Sequence, residues 1–310
     1  MTLKEYAELS REELIDRINR ARKEQSVVIL GHNYQREEVQ VMCDFLGDSL
    51  GLSRKAAATD AEKIIFCGVM FMAETAKILA PEKRVYIPEK NAGCPLAAGA
   101  SMEDVIELKK KYPDHVVISY VNTTAEVKAV TDICCTSGNA LEVVKSVGDK
   151  PVIFLPDKNL GTWIKETLAK ENIILWEGGC YVHSMMLLEY IENARAKYPE
   201  AIIMVHPEVP FILSQAADVV GSTSAMFNYV RDHDRHVILG TEIGLIERIR
   251  REMPEKRVDW LKPDAVCFNM KQITLPKLAR CLEQGYYEVT LEENIRRMAE
   301  NAIERMVEIG

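Results

Sequence analysis

The sequence has no uninterrupted run of about 18 apolar residues, the length that a helix needs to cross a bilayer. Its first two dozen residues are charged and helical in pattern rather than signal-like, so we expect a cytoplasmic chain with no membrane partner. Positive charge is also scarce, because 39 Lys and Arg stand against 47 Asp and Glu and the formal net charge is -8. We expect no nucleic-acid partner, since phosphate backbones require a basic surface.

The local cysteine motifs of metal and redox proteins are missing as well. The chain has 8 cysteines but no C-x-x-C, no C-x-x-C-H and no C…H-x-H spacing, and disulfides are rare in the cytoplasm. Five cysteines fit buried apolar segments, where a free thiol behaves as a small hydrophobe. The adjacent pair among them suggests redox chemistry, but a core role is favoured. The five are Cys43, Cys67, Cys134, Cys135 and Cys281.

The other three cysteines stand at nearly equal intervals. Cys94, Cys180 and Cys267 are separated by 86 and 87 residues, and each follows a short apolar stretch. This distance along the chain is too great for a local metal-binding loop. The spacing is therefore either chance or the mark of a triplicated domain that offers one thiolate per copy.

Other landmarks recur at the same interval. Strand-like runs begin at residues 26, 115 and 201, and each is followed by an aspartate five positions before a hydroxyl residue and then by a third apolar run. Agreement of this kind predicts three repeats of about 87 residues, each built from βα units. The aspartate and hydroxyl pairs are Asp44 and Ser49, Asp132 and Ser137, and Asp218 and Thr223.

The apolar runs indicate the fold class. Runs of four to seven residues rich in Val and Ile, alternating with helical patterns, are typical of parallel strands buried on both faces. We predict an α/β protein of three homologous three-layer αβα lobes with short parallel sheets, arranged with pseudo-threefold symmetry around a central active site. The predicted lobes are residues 1–100, 101–187 and 188–310, and the absence of a linker between them predicts tight packing.

The repeated cysteines lie in loops that follow strands, where parallel α/β sheets bind their ligands. If three lobes meet about one axis, the three thiolates converge. Soft thiolate ligands favour an iron–sulfur cluster or zinc. A [4Fe-4S] cluster with three protein ligands leaves one iron open as a Lewis acid, which suits dehydration of a small substrate.

Polar residues at equivalent places predict a site for a small anion. Ser49, Ser137 and Thr223 precede helical runs, where N-cap hydroxyls and free amides bind anions, although each alone is more simply a helix cap. His32 and His206 follow the first strand of repeats one and three, and a histidine there is usually a core residue. A ring of such residues that also contains Tyr120, Asn122 and Glu208 favours a functional site.

Several motifs together resemble the quinolinate synthase family, the A protein of de novo NAD biosynthesis. They include GHNYQREEVQ, DICCTSGNA, GGCYVH, VHPE and AVCFNMK, in this order. The resemblance implies three lobes around a [4Fe-4S] cluster, and condensation of iminoaspartate with dihydroxyacetone phosphate to quinolinate, phosphate and two waters. It also implies L-aspartate oxidase or aspartate dehydrogenase as the upstream enzyme. Some relatives carry an extra C-x-x-C near the C-terminus that this chain lacks.

The resemblance assigns roles to individual residues of this chain. Cys94, Cys180 and Cys267 are the implied cluster ligands. Glu208 is the first candidate for general acid or base, with Tyr34, Tyr120 and His206 next. The implied substrate contacts are His32, Tyr34, Asp48, Ser49, Tyr120, Asn122, Ser137, His183, His206, Glu208 and Thr223.

Two other classes of function stay open at this point. Another [4Fe-4S] hydro-lyase acting on a small hydroxy acid would use the same open iron, and analysis of the product separates it from quinolinate synthesis. A non-enzymatic iron–sulfur sensor or a zinc-stabilised scaffold is the other alternative. A sensor would require a partner surface or a DNA-binding element, and the sequence shows neither a basic helix nor a helix-turn-helix.

Overall fold

The protein contains three four-stranded sheets, and every strand pair in them is parallel. The structure is a computed structural model that describes residues 1–309. In each sheet the strand that comes first in its lobe is flanked by the second and the third, and the fourth lies at the far edge. Three copies of one topology, each with its own helices, confirm the predicted α/β class and the three αβα lobes.

The first sheet has the order β2-β1-β3-β4 and follows two short N-terminal helices. The predicted helical N-terminus is two helices rather than one, because Thr2 and Ser10 each form a capping box that starts a new helix. The elements are α1 (Leu3–Ala7), α2 (Arg11–Glu24), β1 (Val27–His32), α3 (Glu37–Gln40), β2 (Phe45–Gly47), α4 (Ser49–Ala58), β3 (Lys63–Cys67), α5 (Met70–Leu79) and β4 (Arg84–Tyr86).

The second and third sheets repeat this order as β6-β5-β7-β8 and β10-β9-β11-β12. The second contains α6 (Met102–Lys111), β5 (Val116–Tyr120), α7 (Ala125–Ala129), β6 (Ile133–Cys135), α8 (Ala140–Ser146), β7 (Val152–Leu155), α9 (Lys158–Thr167), β8 (Ile173–Leu175) and α10 (Tyr181–Ser184). The third begins with α11 (Leu188–Lys197), β9 (Ile202–Val205), α12 (Phe211–Ala216), β10 (Val219–Val220), α13 (Thr223–Asp232), β11 (Val237–Gly240), α14 (Ile243–Glu252) and β12 (Val258–Trp260). Two helices follow, α15 (Leu275–Gln284) and α16 (Glu293–Glu308).

An aspartate precedes the short edge strand of every sheet and ties it to the central strand. The carboxylate of Asp44 accepts the backbone N–H of Ile29 at 2.8 Å, and its own N–H donates to the Ile29 carbonyl. Arg22, on the preceding helix, pairs with the same carboxylate. The contacts recur as Asp132 with Val117 and Lys109, and as Asp218 with Ile203 and Arg195. The aspartates of the sequence repeat therefore fix the edge strand, and with it the loop that enters the central site.

The last two helices pack on the first two lobes. Helix α15 lies against α2, and α16 lies against α5, α7 and β6. The main hydrophobic core accordingly contains residues of the first lobe, the second lobe and both helices. The sequence analysis placed residues 188–310 in one lobe and did not foresee this packing, and its lobe boundaries stay a prediction. Within residues 1–309, no helix is long and apolar enough to cross a membrane.

Shortening a buried side chain of α16 should destabilise the whole protein. Ile303 is fully buried in the core shared with the first two lobes, whereas Met298 on the same helix is 49% exposed. We expect Ile303→Ala to lower the free energy of unfolding by about 2–5 kcal/mol, through lost burial and the cavity left behind. Met298→Ala should change it by less than about 0.5 kcal/mol. Equal effects in urea unfolding would show that α16 does not contribute to the cooperative core.

Candidate active site

A cavity lies where the carboxyl ends of the three sheets meet. Its walls come from all three lobes, because its lining residues include loops that follow β1, β5 and β9 as well as loops that follow β4, β8 and β12. Every residue that the sequence analysis selected for the site lines this cavity, while the roles of these residues stay predictions. They are His32, Tyr34, Asp48, Ser49, Cys94, Tyr120, Asn122, Ser137, Cys180, His183, His206, Glu208, Thr223 and Cys267.

Each of the three repeated cysteines begins a single helical turn. The carbonyl of Cys94 accepts the N–H four residues on at 3.1 Å, and those of Cys180 and Cys267 do the same at 2.8 and 3.1 Å. Burial raises the pKa of Cys94 to about 12 and also raises the pKa of the other two thiols. Backbone N–H groups of the turns act in the opposite direction, because they stabilise a thiolate.

Two buried carboxylates that the sequence analysis missed hold two of these cysteine loops. Asp157 accepts the backbone N–H of Cys180 at 3.1 Å, and Glu242 accepts that of Cys267 at 3.1 Å. Both side chains are fully buried, and burial raises the pKa of each. The available signal was an acidic residue in the same place, just after the third strand, in lobes two and three. Their role depends on a loop that returns from the next strand, which the sequence does not show.

The carboxylate of Glu208 lies between two histidines. Its Oε2 is 2.7 Å from Nδ1 of His183, which belongs to the second lobe, and 3.4 Å from Nδ1 of His206. Burial alone would raise the pKa of Glu208, but the two histidines outweigh it and hold the pKa well below its usual value. The other oxygen, Oε1, is buried and has no hydrogen-bond partner. Glu208 therefore offers the cavity one free, charged oxygen.

A chain of hydrogen bonds connects Tyr34 with Glu208. The hydroxyl of Thr241 lies 2.6 Å from the Tyr34 hydroxyl and 3.0 Å from Nε2 of His183. A carboxylate can only accept, so Nδ1 of His183 donates to Glu208, and Nε2 of the same ring lies against the Thr241 hydroxyl. Thr241 is a third residue that the sequence analysis missed, and its contacts connect Tyr34 of the first lobe with His183 of the second.

His32 and His206 are equivalent in detail, as the repeat predicted. Nδ1 of His32 accepts the backbone N–H of Tyr34 at 3.2 Å, and Nδ1 of His206 accepts that of Glu208 at 3.4 Å. Burial lowers the pKa of His32 to about 4 and lowers that of His206 as well. The His32 ring is therefore neutral with its proton on Nε2, and Nε2 of His206 lies 3.1 Å from the Ser137 hydroxyl.

The helix-start hydroxyls are not N-caps, which corrects one expectation. In α4 the cap is Asp48, which accepts the N–H of Gly51 at 2.9 Å, and in α13 the cap is Ser222. Ser49 and Thr223 are the first helical residues, and Ser137 precedes α8 by three positions. Asp48 and Ser222 each accept only one N–H of their helix, and the three hydroxyls lie in the cavity wall. Thr223 already accepts a bond from Asn33 at 3.0 Å.

The second lobe contributes Tyr120 and Asn122 at the place where the other lobes have a histidine. Tyr120 is 5% exposed, and its burial together with the charge of Glu208 raises the pKa well above the usual value. Its hydroxyl is therefore a proton donor at neutral pH. Oδ1 of Asn122 is buried without a partner. Donors and acceptors from three lobes thus line one small cavity.

The fold and this cavity define an α/β protein with a central small-molecule site that contains three thiols, three buried histidines and a buried carboxylate. A family profile described as Quinolinate synthetase A protein matches residues 16–308. The curated relatives named "Quinolinate synthase" include those of Clostridium kluyveri, 45% identical over 96% of this chain and 98% of the relative, and Dehalococcoides mccartyi, 48% identical over 94% and 97%. That of Thermodesulfovibrio yellowstonii is 44% identical over 94% and 97%. The chain belongs to the quinolinate synthetase A family.

Removing the Thr241 hydroxyl should break the chain between Tyr34 and Glu208. Thr241→Val leaves the Tyr34 hydroxyl and Nε2 of His183 buried without partners, so we expect the free energy of unfolding to fall by about 1–3 kcal/mol. The matched control is Thr75→Val, another buried threonine, whose hydroxyl bonds only to the Phe71 carbonyl of its own helix. If denaturant unfolding gives the same small change for both, the Thr241 contacts contribute nothing to stability.

Proposed function

We propose that the chain condenses iminoaspartate with dihydroxyacetone phosphate to form quinolinate, phosphate and two waters. The reaction forms one C–C and one C–N bond, breaks the bond to the phosphate and removes two hydroxyl groups. The proposal is supported by the family membership and by the curated relatives that are named for quinolinate synthesis. It requires a site that holds two small anions together, excludes water and moves several protons.

The observation that carries the proposal is the convergence of one thiol from each lobe on a cavity that also contains acid–base groups. Cys94, Cys180 and Cys267 come from equivalent turns and line the same space. The lining residues include these three thiols and no fourth one. Three thiolate ligands fit a [4Fe-4S] cluster in which one iron stays open for the substrate. When bound, such a cluster would supply an open Lewis-acidic iron able to polarise an oxygen or nitrogen of the substrate.

Neutral donors are well suited to hold the two anionic substrates. The lining residues of the cavity include no Lys and no Arg. Helices α4 and α13 each present their N-terminal turn and a hydroxyl, Ser49 and Thr223, so they can bind a phosphate or a carboxylate by backbone N–H groups and the helix dipole. Nε2 of His32 and the Tyr120 hydroxyl add two more donors. The low local dielectric of a protein interior strengthens each of these hydrogen bonds.

Glu208 is the residue best placed to move protons during the reaction. Its Oε1 has no hydrogen-bond partner, and Oε2 is connected through His183 and Thr241 to Tyr34. A proton taken by Glu208 can be shared along this chain, because each member offers both a donor and an acceptor once the carboxylate is protonated. Tyr34 and Tyr120 remain protonated and serve as donors to departing hydroxyl groups.

Loss of any one repeated cysteine should remove the metal cluster. Anaerobically purified protein should contain about four iron and four sulfide per chain. Cys94→Ala, Cys180→Ala and Cys267→Ala should each deplete the cluster and abolish quinolinate formation, whereas Cys281→Ala, a change at a buried core thiol, should do neither. Full iron content together with full quinolinate formation in any of the first three variants would contradict the assignment.

Replacing the carboxylate of Glu208 should slow turnover without loss of the cluster. Glu208→Gln preserves size but removes the proton acceptor, so we expect kcat for quinolinate formation to fall by about 100-fold or more. Iron content should stay at the level of the unsubstituted protein. Glu200→Gln, an exposed carboxyl of the same lobe, is the control. An unchanged kcat in Glu208→Gln would show that Glu208 acts only as a structural ion-pair partner.

A further inference from the structure

Three side chains of different chemistry approach one another closely at one wall of the cavity. The ligand atoms of Cys180, His183 and Glu208 all lie within 4.8 Å of one another. Nδ1 of His183 is 3.3 Å from the Cys180 sulfur and 2.7 Å from Oε2 of Glu208. In residues 1–309, no other group of three His, Cys, Asp or Glu side chains meets this distance. The three repeated cysteines therefore stand farther apart than these three residues do.

Local structure holds the three donors in place. Cys180 is the residue before α10 and His183 is its third residue, so a C-x-x-H spacing puts both side chains on one helical turn. Glu208 reaches them from the loop after β9 in the third lobe. His183 is fully buried, and Glu208 is 3% exposed. Thiolate, imidazole nitrogen and carboxylate oxygen are the donors that tetrahedral zinc sites use.

The observed distances fit one small cation. Zinc bonds of about 2.0–2.3 Å place tetrahedral ligand atoms roughly 3.4–3.6 Å apart. The separations that involve His183 Nδ1 differ from this by less than about 1 Å, so small rotations of the side chains would suffice. The proton that now joins Nδ1 to Glu208 is the group that the cation would replace.

Two further observations point to a bound cation. Glu208 Oε1 is buried without a partner, and the lining residues include no Lys or Arg that could neutralise the carboxylate. A buried unsatisfied oxygen is costly, and a metal ion that contacts both oxygens of the carboxylate would satisfy it. The far nitrogen of His183 is bonded to Thr241, which is bonded to Tyr34. Metal-ligating histidines are oriented in this way by a partner on the other ring nitrogen.

We propose that the chain without its cluster binds one divalent transition-metal ion of the zinc class through Cys180, His183 and Glu208, with the fourth position open to the cavity. Binding releases the thiol proton to solvent, and the ring proton of His183 moves from Nδ1 to Nε2, where it is donated to the Thr241 hydroxyl. Cys180 cannot bind this ion and the cluster at once, so zinc and the cluster exclude each other. This mutual exclusion rests on the proposed function. Zinc then occupies the acid–base carboxylate and keeps the enzyme inactive.

The test uses the full-length chain, freed of iron and sulfide by a chelator and kept reduced. Titration with Co²⁺, followed by competition with Zn²⁺, should show about one ion per chain with a sulfur-to-cobalt charge-transfer band. Cys180→Ser, His183→Gln and Glu208→Gln should each weaken binding by at least about 100-fold. Cys94→Ser and Cys267→Ser are the matched controls and should bind as tightly as the unsubstituted chain. Circular dichroism checks that each variant is folded.

X-ray absorption of the zinc-loaded, unsubstituted chain gives a result that needs no mutation. One sulfur and the remainder nitrogen or oxygen around zinc would support the triad, and three sulfurs would overturn it. Loss of binding in Cys94→Ser would overturn it as well. Reconstitution with iron and sulfide is measured in a separate experiment. If the chain forms the cluster but does not bind zinc, only the zinc proposal is refuted. If the chain binds zinc but does not form the cluster, only the proposed function is refuted.

Discussion

The buried charge of Glu208 is the constraint on which the central cavity depends. Moving an isolated carboxylate into a protein interior costs several kcal/mol unless other groups compensate for its lost hydration. Here Nδ1 of His183 from the second lobe donates to the carboxylate, which also lies against the His206 ring of the third lobe. The backbone carbonyl of Glu208 also accepts a bond from Asn159 of the second lobe at 3.0 Å. The second and third lobes must therefore keep one relative position for this charge to be tolerated. The same contacts hold the neighbouring side chains in fixed positions.

The same dependence connects the other pairs of lobes. Asn33 of the first lobe donates to Thr223 and accepts from Arg248, both in the third. Between the first and second lobes, the carboxylate of Glu74 accepts the backbone N–H of Ala125 at 3.1 Å. Polar groups of one lobe are thus satisfied by groups of another lobe. Lobes built in this way require short connections, which agrees with a sequence that contains no flexible linker.

The parts of the fold that are periodic along the chain could be predicted, and the parts that depend on distant contacts could not. Runs of Val and Ile and the equal cysteine spacing are one-dimensional signals, so the strands and the repeated cysteines could be predicted from them, whereas Tyr34, Asp48 and His183 were assigned by the family resemblance. Helix starts were misplaced by one position because Asp48 and Ser222, rather than the next hydroxyl, take the cap. Asp157 and Glu242 were missed because each bonds to a loop that returns from another strand.

The packing of α16 sets an order of events during biosynthesis. Residues 293–308 complete a core that consists largely of the first two lobes. While the ribosome makes the third lobe, that part of the core is still open, although domains generally fold as they emerge. The surfaces of α5 and α7 that α16 covers therefore stay exposed until this helix has been made. During that time these surfaces are accessible to chaperones.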